Sequence, residues 1–155
     1  MNPHERFMRL ALTEAERAAA EGEIPVGAVV VKDGEVIAAA HNRREQLNDP
    51  TAHAEMLALQ AASRKLKNRR LTGCTLYTTL EPCPMCAGAM VMARLDACCF
   101  GARDEKQGCC ESVYALTNEP SFFWRLTSAG GLLEEECRRL LTDFFQERRP
   151  GEPEP

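Results

Sequence analysis

Two short strings constrain this chain more than any other feature: His53-Ala54-Glu55 and, well downstream, Pro82-Cys83-Pro84-Met85-Cys86. Together they offer one imidazole, two thiols and a carboxylate that is not needed as a ligand. A closed structural zinc site takes four protein ligands, whereas a catalytic one keeps three and leaves the fourth position to water. A fold that uses these groups must bring the two strings to one point. Proline is favoured at the first helical position, so Pro84 makes Cys83 an N-cap and places Cys86 in the first turn. Residues three apart share a helix face, and both sulfurs can then reach one ion. His53 and Glu55 would diverge in mid-helix. In a first turn, however, side chains tilt toward the helix N-terminus and both can lean at a shared point. The spacing therefore predicts two helix N-termini aimed at one zinc. Helix-end amides favour negative charge and lower thiolate pKa values.

The rest of the pattern supplies a frame. Phe7, Leu10, Ala11, Ala15 and Ala18 recur at helical spacing, which predicts a helix over 5–21 ended by Gly22. A buried strand is expected over 26–31. Lys32-Asp33-Gly34-Glu35 is a hairpin signal, and a strand returns over 36–40. A polar loop, 42–50, ends in Asp49-Pro50, a helix-start cue. A helix over 53–64, a strand over 75–80, a helix over 84–94 and a strand over 97–100 follow. A short helix near 112–116 and a strand near 122–127 come next. Gly130-Gly131 then breaks the chain, and a last helix carries Leu133, Cys137, Leu140, Leu141, Phe144 and Phe145 on one stripe. This order predicts an α/β fold: a three-layer α/β/α sandwich on a five-stranded mixed sheet. Its first hairpin is antiparallel, and later strands are joined by helical crossovers and so parallel. Residues 1–149 are expected to form a single zinc-dependent domain, with 150–155 a short, acidic, disordered tail.

Composition narrows the classes. At 155 residues, with 45% hydrophobic and 27% charged, the chain suits one globular domain with a real core. No apolar run approaches the ~20 residues of a membrane span. Residues 1–20 lack the basic-apolar-small order of a secretion signal, so a cytoplasmic location and no membrane partner are expected. Eight cysteines would suggest disulfides in a small secreted chain, but a reducing compartment keeps them as thiols. Cys74, Cys98, Cys99 and Cys137 read as small buried hydrophobes. Cys109-Cys110 follows Gly108 in a loop that can expose both thiols. The net charge of −4 gives no global field that would draw in nucleic acid. Arg43-Arg44, the cationic stretch 64–70, Arg138-Arg139 and Arg148-Arg149 permit local phosphate contact without demonstrating it.

Zinc lowers the pKa of a bound water toward neutrality, and two thiolate ligands weaken that effect. A nearby carboxylate then becomes valuable, and Glu55 is placed to take the water proton, a service worth about 10²–10⁴-fold. The competing reading is a structural staple completed by a fourth ligand. His4 and His41 are the other histidines, and neither has matching local spacing. The spare Glu55 favours the catalytic reading.

The H-x-E…P-C-x-x-C signature is that of zinc-dependent nucleobase deaminases, and the chain resembles the cytidine/deoxycytidylate deaminase superfamily. More closely, it resembles the bacterial tRNA-specific adenosine deaminases. The strings that carry the likeness are 25–29, His41-Asn42-Arg43, 49–55, Thr75-Leu76-Tyr77, 80–83, 85–90, Phe100-Gly101-Ala102-Arg103-Asp104, Asp143-Phe144-Phe145 and Arg148-Arg149. The resemblance implies a cytidine deaminase-like fold and hydrolysis of adenosine to inosine at the wobble position of tRNA, with release of ammonia. It implies one zinc per subunit, held by His53, Cys83 and Cys86, with Glu55 as proton shuttle. It further implies a homodimer and contact with a tRNA anticodon loop. Asn42 would hydrogen-bond the adenine and Asp104 would sit by the ribose. Pro25, Val26 and Leu80 would wall the base pocket. Phe144, Phe145 and the arginines after them would meet the RNA. Each has a plainer role open to it: Asn42 as a turn former, Asp104 as a cap or a partner of Arg103, Phe144 and Phe145 as core. Gly108-Cys109-Cys110-Glu111 departs from the family pattern, in which small residues follow that glycine. Two other functions share the zinc strings: a small-molecule deaminase of guanine or cytosine type, and a non-catalytic zinc module.

Overall fold

Asp33 and Gly34 both take positive φ, 52° and 77°, the twist that a two-residue hairpin turn requires. They join β1 (Gly27–Lys32) to β2 (Glu35–His41) in the computed structural model, which describes residues 2–147. Arg148-Arg149 and the expected tail lie outside the described residues. The other elements are α1 (Pro3–Ala20), α2 (Arg44–Leu47), α3 (Ala54–Leu66), β3 (Cys74–Leu80), α4 (Pro84–Met92), β4 (Ala97–Ala102), a 3₁₀ turn (Leu116–Asn118), β5 (Thr127–Ala129) and α5 (Glu134–Gln146).

The five strands form one mixed sheet in the order β2-β1-β3-β4-β5. β1 is antiparallel to both of its neighbours, while β3–β4 and β4–β5 are parallel. β2, β3, β4 and β5 therefore point the same way, and their carboxyl ends share one edge of the molecule. Side chains alternate across β1. Ala28 and Val30 join the core beneath α3 and α4 with Ala58, Leu76, Met90 and Phe100. Val29 and Val31 join a second core with Phe7, Met8, Ala11 and Cys137 of α1 and α5. The result is the expected three-layer α/β/α sandwich. No helix among the described residues is long and apolar enough to cross a membrane.

Four local expectations are corrected. The loop over 42–50 contains α2, whose first amides, of Glu45 and Gln46, donate to the buried Glu23 carboxylate at 3.2 and 2.8 Å. No helix forms over 112–116; turns there lead into the 3₁₀ turn. The strand expected near 122–127 is absent, and β5 pairs with β4 only over Thr127–Ala129. The aromatic run is used elsewhere: the Trp124 indole donates to the Leu95 carbonyl at 2.9 Å, and Arg94 lies over the Phe123 and Trp124 rings. Finally, Cys109 and Cys110 are buried, not exposed.

Candidate active site

The shared edge of the sheet delivers the candidate residues. β2 ends at His41 and hands on Asn42, β3 ends at Leu80 and hands on Glu81 to Cys83, and β4 ends two residues before Asp104. Ligand sites in open α/β sheets lie beyond such carboxyl ends. α3 begins with His53 as its N-cap (φ −72°, ψ 151°) and α4 with Cys83 (φ −75°, ψ 175°). Neither side chain caps its own helix, and both point to a common centre. His53 Nδ1 lies 3.6 Å from Cys83 Sγ and 3.5 Å from Cys86 Sγ. These three donors, all within 4.8 Å of one another, are the one group of metal-ligating side chains found among the described residues. One nitrogen and two sulfurs are the donor set that zinc takes when a position is kept for solvent. Neither remaining histidine joins them. His4 is bonded to the Tyr77 hydroxyl at 2.7 Å, and His41 bridges the carboxylates of Glu14 and Glu21 at 2.9 Å each.

Glu55 stands in the first turn of α3, only 4% exposed. Burial pushes its carboxyl up to about 7, against the opposing pull of its own amide and of His53. The Cys83 thiol is drawn down to about 4, chiefly by the hydrogen bond from Cys86 and, against burial, by that from His53. Cys86, as donor to Cys83 and by burial, is pushed up. The ligand pair thus already favours one thiolate.

A cavity of about 190 Å³ opens over this cluster. His53, Glu55 and Cys83 form part of its lining, Val26 and Leu80 supply apolar surface, and Asn42 and Asp104 also reach it. Asn42 is 4% exposed; its Nδ2 donates to the Ile24 carbonyl at 3.4 Å, and its Oδ1 has no partner. A buried acceptor left unpaired costs about 1–3 kcal/mol, which argues for a ligand that supplies the missing donor. Asp104 folds its carboxylate back to accept from the Lys106 and Gln107 amides at 3.0 and 3.2 Å. Arg103 pairs instead with Glu111 and Glu134.

Not every expected residue meets here. Pro25 is buried but does not line the cavity. Phe144 and Phe145 are on α5, away from it, with rings edge-on at 5.5 Å. Ile24 and Gln107 line the cavity but escaped the sequence reading as site residues, as did the cavity role of Arg44, expected only as part of a local cationic pair. So did Glu81, whose buried carboxylate accepts from the amides of Asp104, Cys110, Glu111 and Ser112 and from the Ser112 hydroxyl. Burial pushes Glu81 up, but these hydrogen bonds outweigh it and hold the carboxyl below its usual range. The loop can wrap so closely because residue 108 is glycine; a Cβ there would collide with the Glu81 carboxylate.

Residues 1–102 match the cytidine and deoxycytidylate deaminase zinc-binding region. The tRNA-specific adenosine deaminase of Bacillus subtilis (strain 168) is 48% identical over 149 residues, spanning 96% of this chain and 92% of that protein. The tRNA-specific adenosine deaminase of Aquifex aeolicus (strain VF5) is 48% identical over 145 residues, spanning 94% and 95%. A structure from studies of A-to-I editing by tRNA:A34 deaminases at the wobble position of transfer RNA superposes with a TM-score of 0.85 at 44% identity, covering 88% of this chain and 99% of that one. The guanine deaminase from Nitrosomonas europaea superposes with a TM-score of 0.75 at 28% identity, covering 90% and 83%.

Proposed function

The chain belongs to the cytidine and deoxycytidylate deaminase family, within it to the tRNA-specific adenosine deaminases, and from that premise we infer that it hydrolyses adenosine to inosine at the wobble position of tRNA. The observation that carries this reading is near-full-length identity of 48% to two such enzymes, joined to a three-donor cluster with a spare carboxylate beside it. Adenosine and water give inosine and ammonia.

His53, Cys83 and Cys86 are proposed to hold one zinc per subunit. When bound, zinc supplies Lewis acidity that lets a water lose its proton near neutral pH. Glu55 is the group that moves protons: its carboxylate takes one from the water and places it on a ring nitrogen of the purine, then takes the second from the hydroxyl added to the ring carbon and gives it to the departing amine. Val26 and Leu80 hold the ring flat against apolar surface. Asn42 Oδ1 accepts an N–H of the base, which satisfies the acceptor left unpaired. Asp104 stands by the ribose. Phe144 and Phe145, the latter 38% exposed, are proposed to meet the anticodon loop outside the cavity. Single-stranded loops are read by stacking and edge contacts, so a net charge of −4 is compatible with this substrate.

A homodimer and a cytoplasmic location belong to the same reading, as does a single domain over 1–149 ending in a short acidic tail, 150–155. Met92, Tyr114 and Phe123, each at least 60% exposed, offer the apolar surface that a second copy would cover.

The test is ammonia release from four compounds: an anticodon stem-loop RNA with adenosine at the wobble position, free adenosine, cytidine and guanine. Turnover of the RNA is expected. Turnover confined to the free compounds would replace this reading with a small-molecule deaminase, and none from any of them, with zinc fully loaded, would leave a binding module.

A further inference from the structure

A second cluster of reactive groups lies where the loop after β4 crosses back over the sheet. Cys98 of β4 and Ser128 of β5 are register partners. The Ser128 and Thr117 hydroxyls are bonded to each other at 2.8 Å. Cys110 packs in the same buried core as Cys98, whose thiol donates to it. Cys98 is fully buried and Cys110 is 5% exposed. Cys110, Thr117 and Ser128 nevertheless line a cavity of about 500 Å³ that opens to solvent, with Arg125 also in its lining. Neither cysteine belongs to the metal cluster.

We propose that Cys110 is a peroxide-sensitive thiol that closes a disulfide with Cys98, tying the loop to β4. Hydrogen-bond donors converging on one sulfur favour thiolate over thiol. The bond from Cys98 and, against burial, one from the Thr117–Ser128 hydroxyl pair hold Cys110 below its ordinary range; Cys98, as the donor, is pushed well above its own. A thiol that lines a solvent cavity beside a second, resolving cysteine, with its pKa held below the ordinary range, is the arrangement of redox-sensing thiols. Cys109 is differently engaged, its thiol donating to the Gln107 carbonyl at 3.5 Å.

The oxidant is hydrogen peroxide. The Cys110 thiolate attacks one peroxide oxygen; an S–O bond forms, the O–O bond breaks, and hydroxide leaves to be protonated to water. Cys98 then attacks the Cys110 sulfur. The S–S bond forms, the S–O bond breaks, and the hydroxyl departs as water with the Cys98 proton. Two thiols are oxidised and one peroxide is reduced to two waters. The sulfurs must close to about 2.05 Å. The loop so tied carries Asp104 and Gln107 to the catalytic cavity.

The experiment treats the zinc-loaded full chain with hydrogen peroxide, blocks free thiols, and digests it without reduction. The expected result is an intact mass lower by two hydrogens, one linked pair of peptides holding Cys98 and Cys110, release of that pair by dithiothreitol, and unchanged zinc content. In C98S the reaction should stop at a Cys110 sulfenic acid that dimedone traps. The wild-type peptide map decides the matter even where a variant folds poorly. A Cys109–Cys110 link, oxidation confined to Cys83 and Cys86 with loss of zinc, or a Cys110 that stays fully alkylatable would each overturn the proposal.

Discussion

Changing Glu81 to glutamine tests whether one buried carboxylate holds the loop that completes the cavity. Glu81 is 1% exposed. One of its oxygens accepts from the Asp104 amide at 3.1 Å and the Ser112 hydroxyl at 2.5 Å. The other accepts from the amides of Cys110, Glu111 and Ser112 at 3.2, 2.8 and 2.9 Å. Glutamine keeps the shape but turns one oxygen into a donor. In its best orientation it keeps the three amides and lets the Ser112 hydroxyl reverse, yet leaves the Asp104 amide facing an NH₂ group. An unpaired buried donor costs about 1–3 kcal/mol, and the three surviving bonds lose their charge assistance. The expected loss is therefore about 2–4 kcal/mol, read as a lower urea midpoint. It should be accompanied by faster hydrogen exchange at the Asp104 amide. The KM for RNA should rise, because Asp104 and Gln107 line the cavity, while zinc content stays unchanged. The pH dependence has a definite sign. The folded Glu81 carboxyl is held below its ordinary value of 4.5, so its contribution is fully present above that value. It is lost as pH falls through the lowered one. Wild type should lose this increment in acid and E81Q should not. An E81Q protein with the wild-type urea midpoint and an equally protected Asp104 amide would refute the reasoning.

Three further outcomes follow from the same geometry. Cys86→Ala removes a ligand and should abolish both zinc binding and turnover; a full zinc complement by elemental analysis would mean that another side chain holds the metal. Asn42→Ala should cost less than about 1 kcal/mol in urea unfolding, because its unpaired oxygen already carries a penalty of that order. The same change should raise the KM for RNA at least tenfold, and an unchanged KM would remove Asn42 from the base-binding role. Phe100→Ala empties a fully buried position and should cost about 3–5 kcal/mol, measured by the same unfolding curve; a loss under 1 kcal/mol would contradict the packing described.

Much of this architecture was legible because it is local. Asp33-Gly34 sets its turn through its own φ angles, and Pro84 sets the start of α4, which in turn fixes the separation of Cys83 and Cys86. His53 and Glu55 were readable as a first-turn pair for the same reason. What escaped depends on contacts that sequence order hides. α2 exists because Glu23, more than twenty residues upstream, accepts its first amides. Glu81 reads as one more charge at a strand end until the loop some thirty residues on wraps it. Phe122-Phe123-Trp124 has strand propensity, but Leu95 and Arg94 capture the aromatic rings. The modest Thr127-Ser128-Ala129 becomes the strand because β4 offers a parallel edge there. Arg44 reaches the cavity only because α2 turns it inward, and nothing in its neighbours signals that.

The account rests on a metal held by three side chains beside a carboxylate that carries protons. The direct measurement is inosine formation in an anticodon stem-loop RNA by wild type and Glu55→Ala at matched zinc content. Wild type should bind one zinc per chain and convert the wobble adenosine. The variant should bind as much zinc, unfold at the same urea concentration, and convert the RNA at least about 10²–10⁴-fold more slowly. Conversion by the zinc-loaded variant at the wild-type rate would contradict the account.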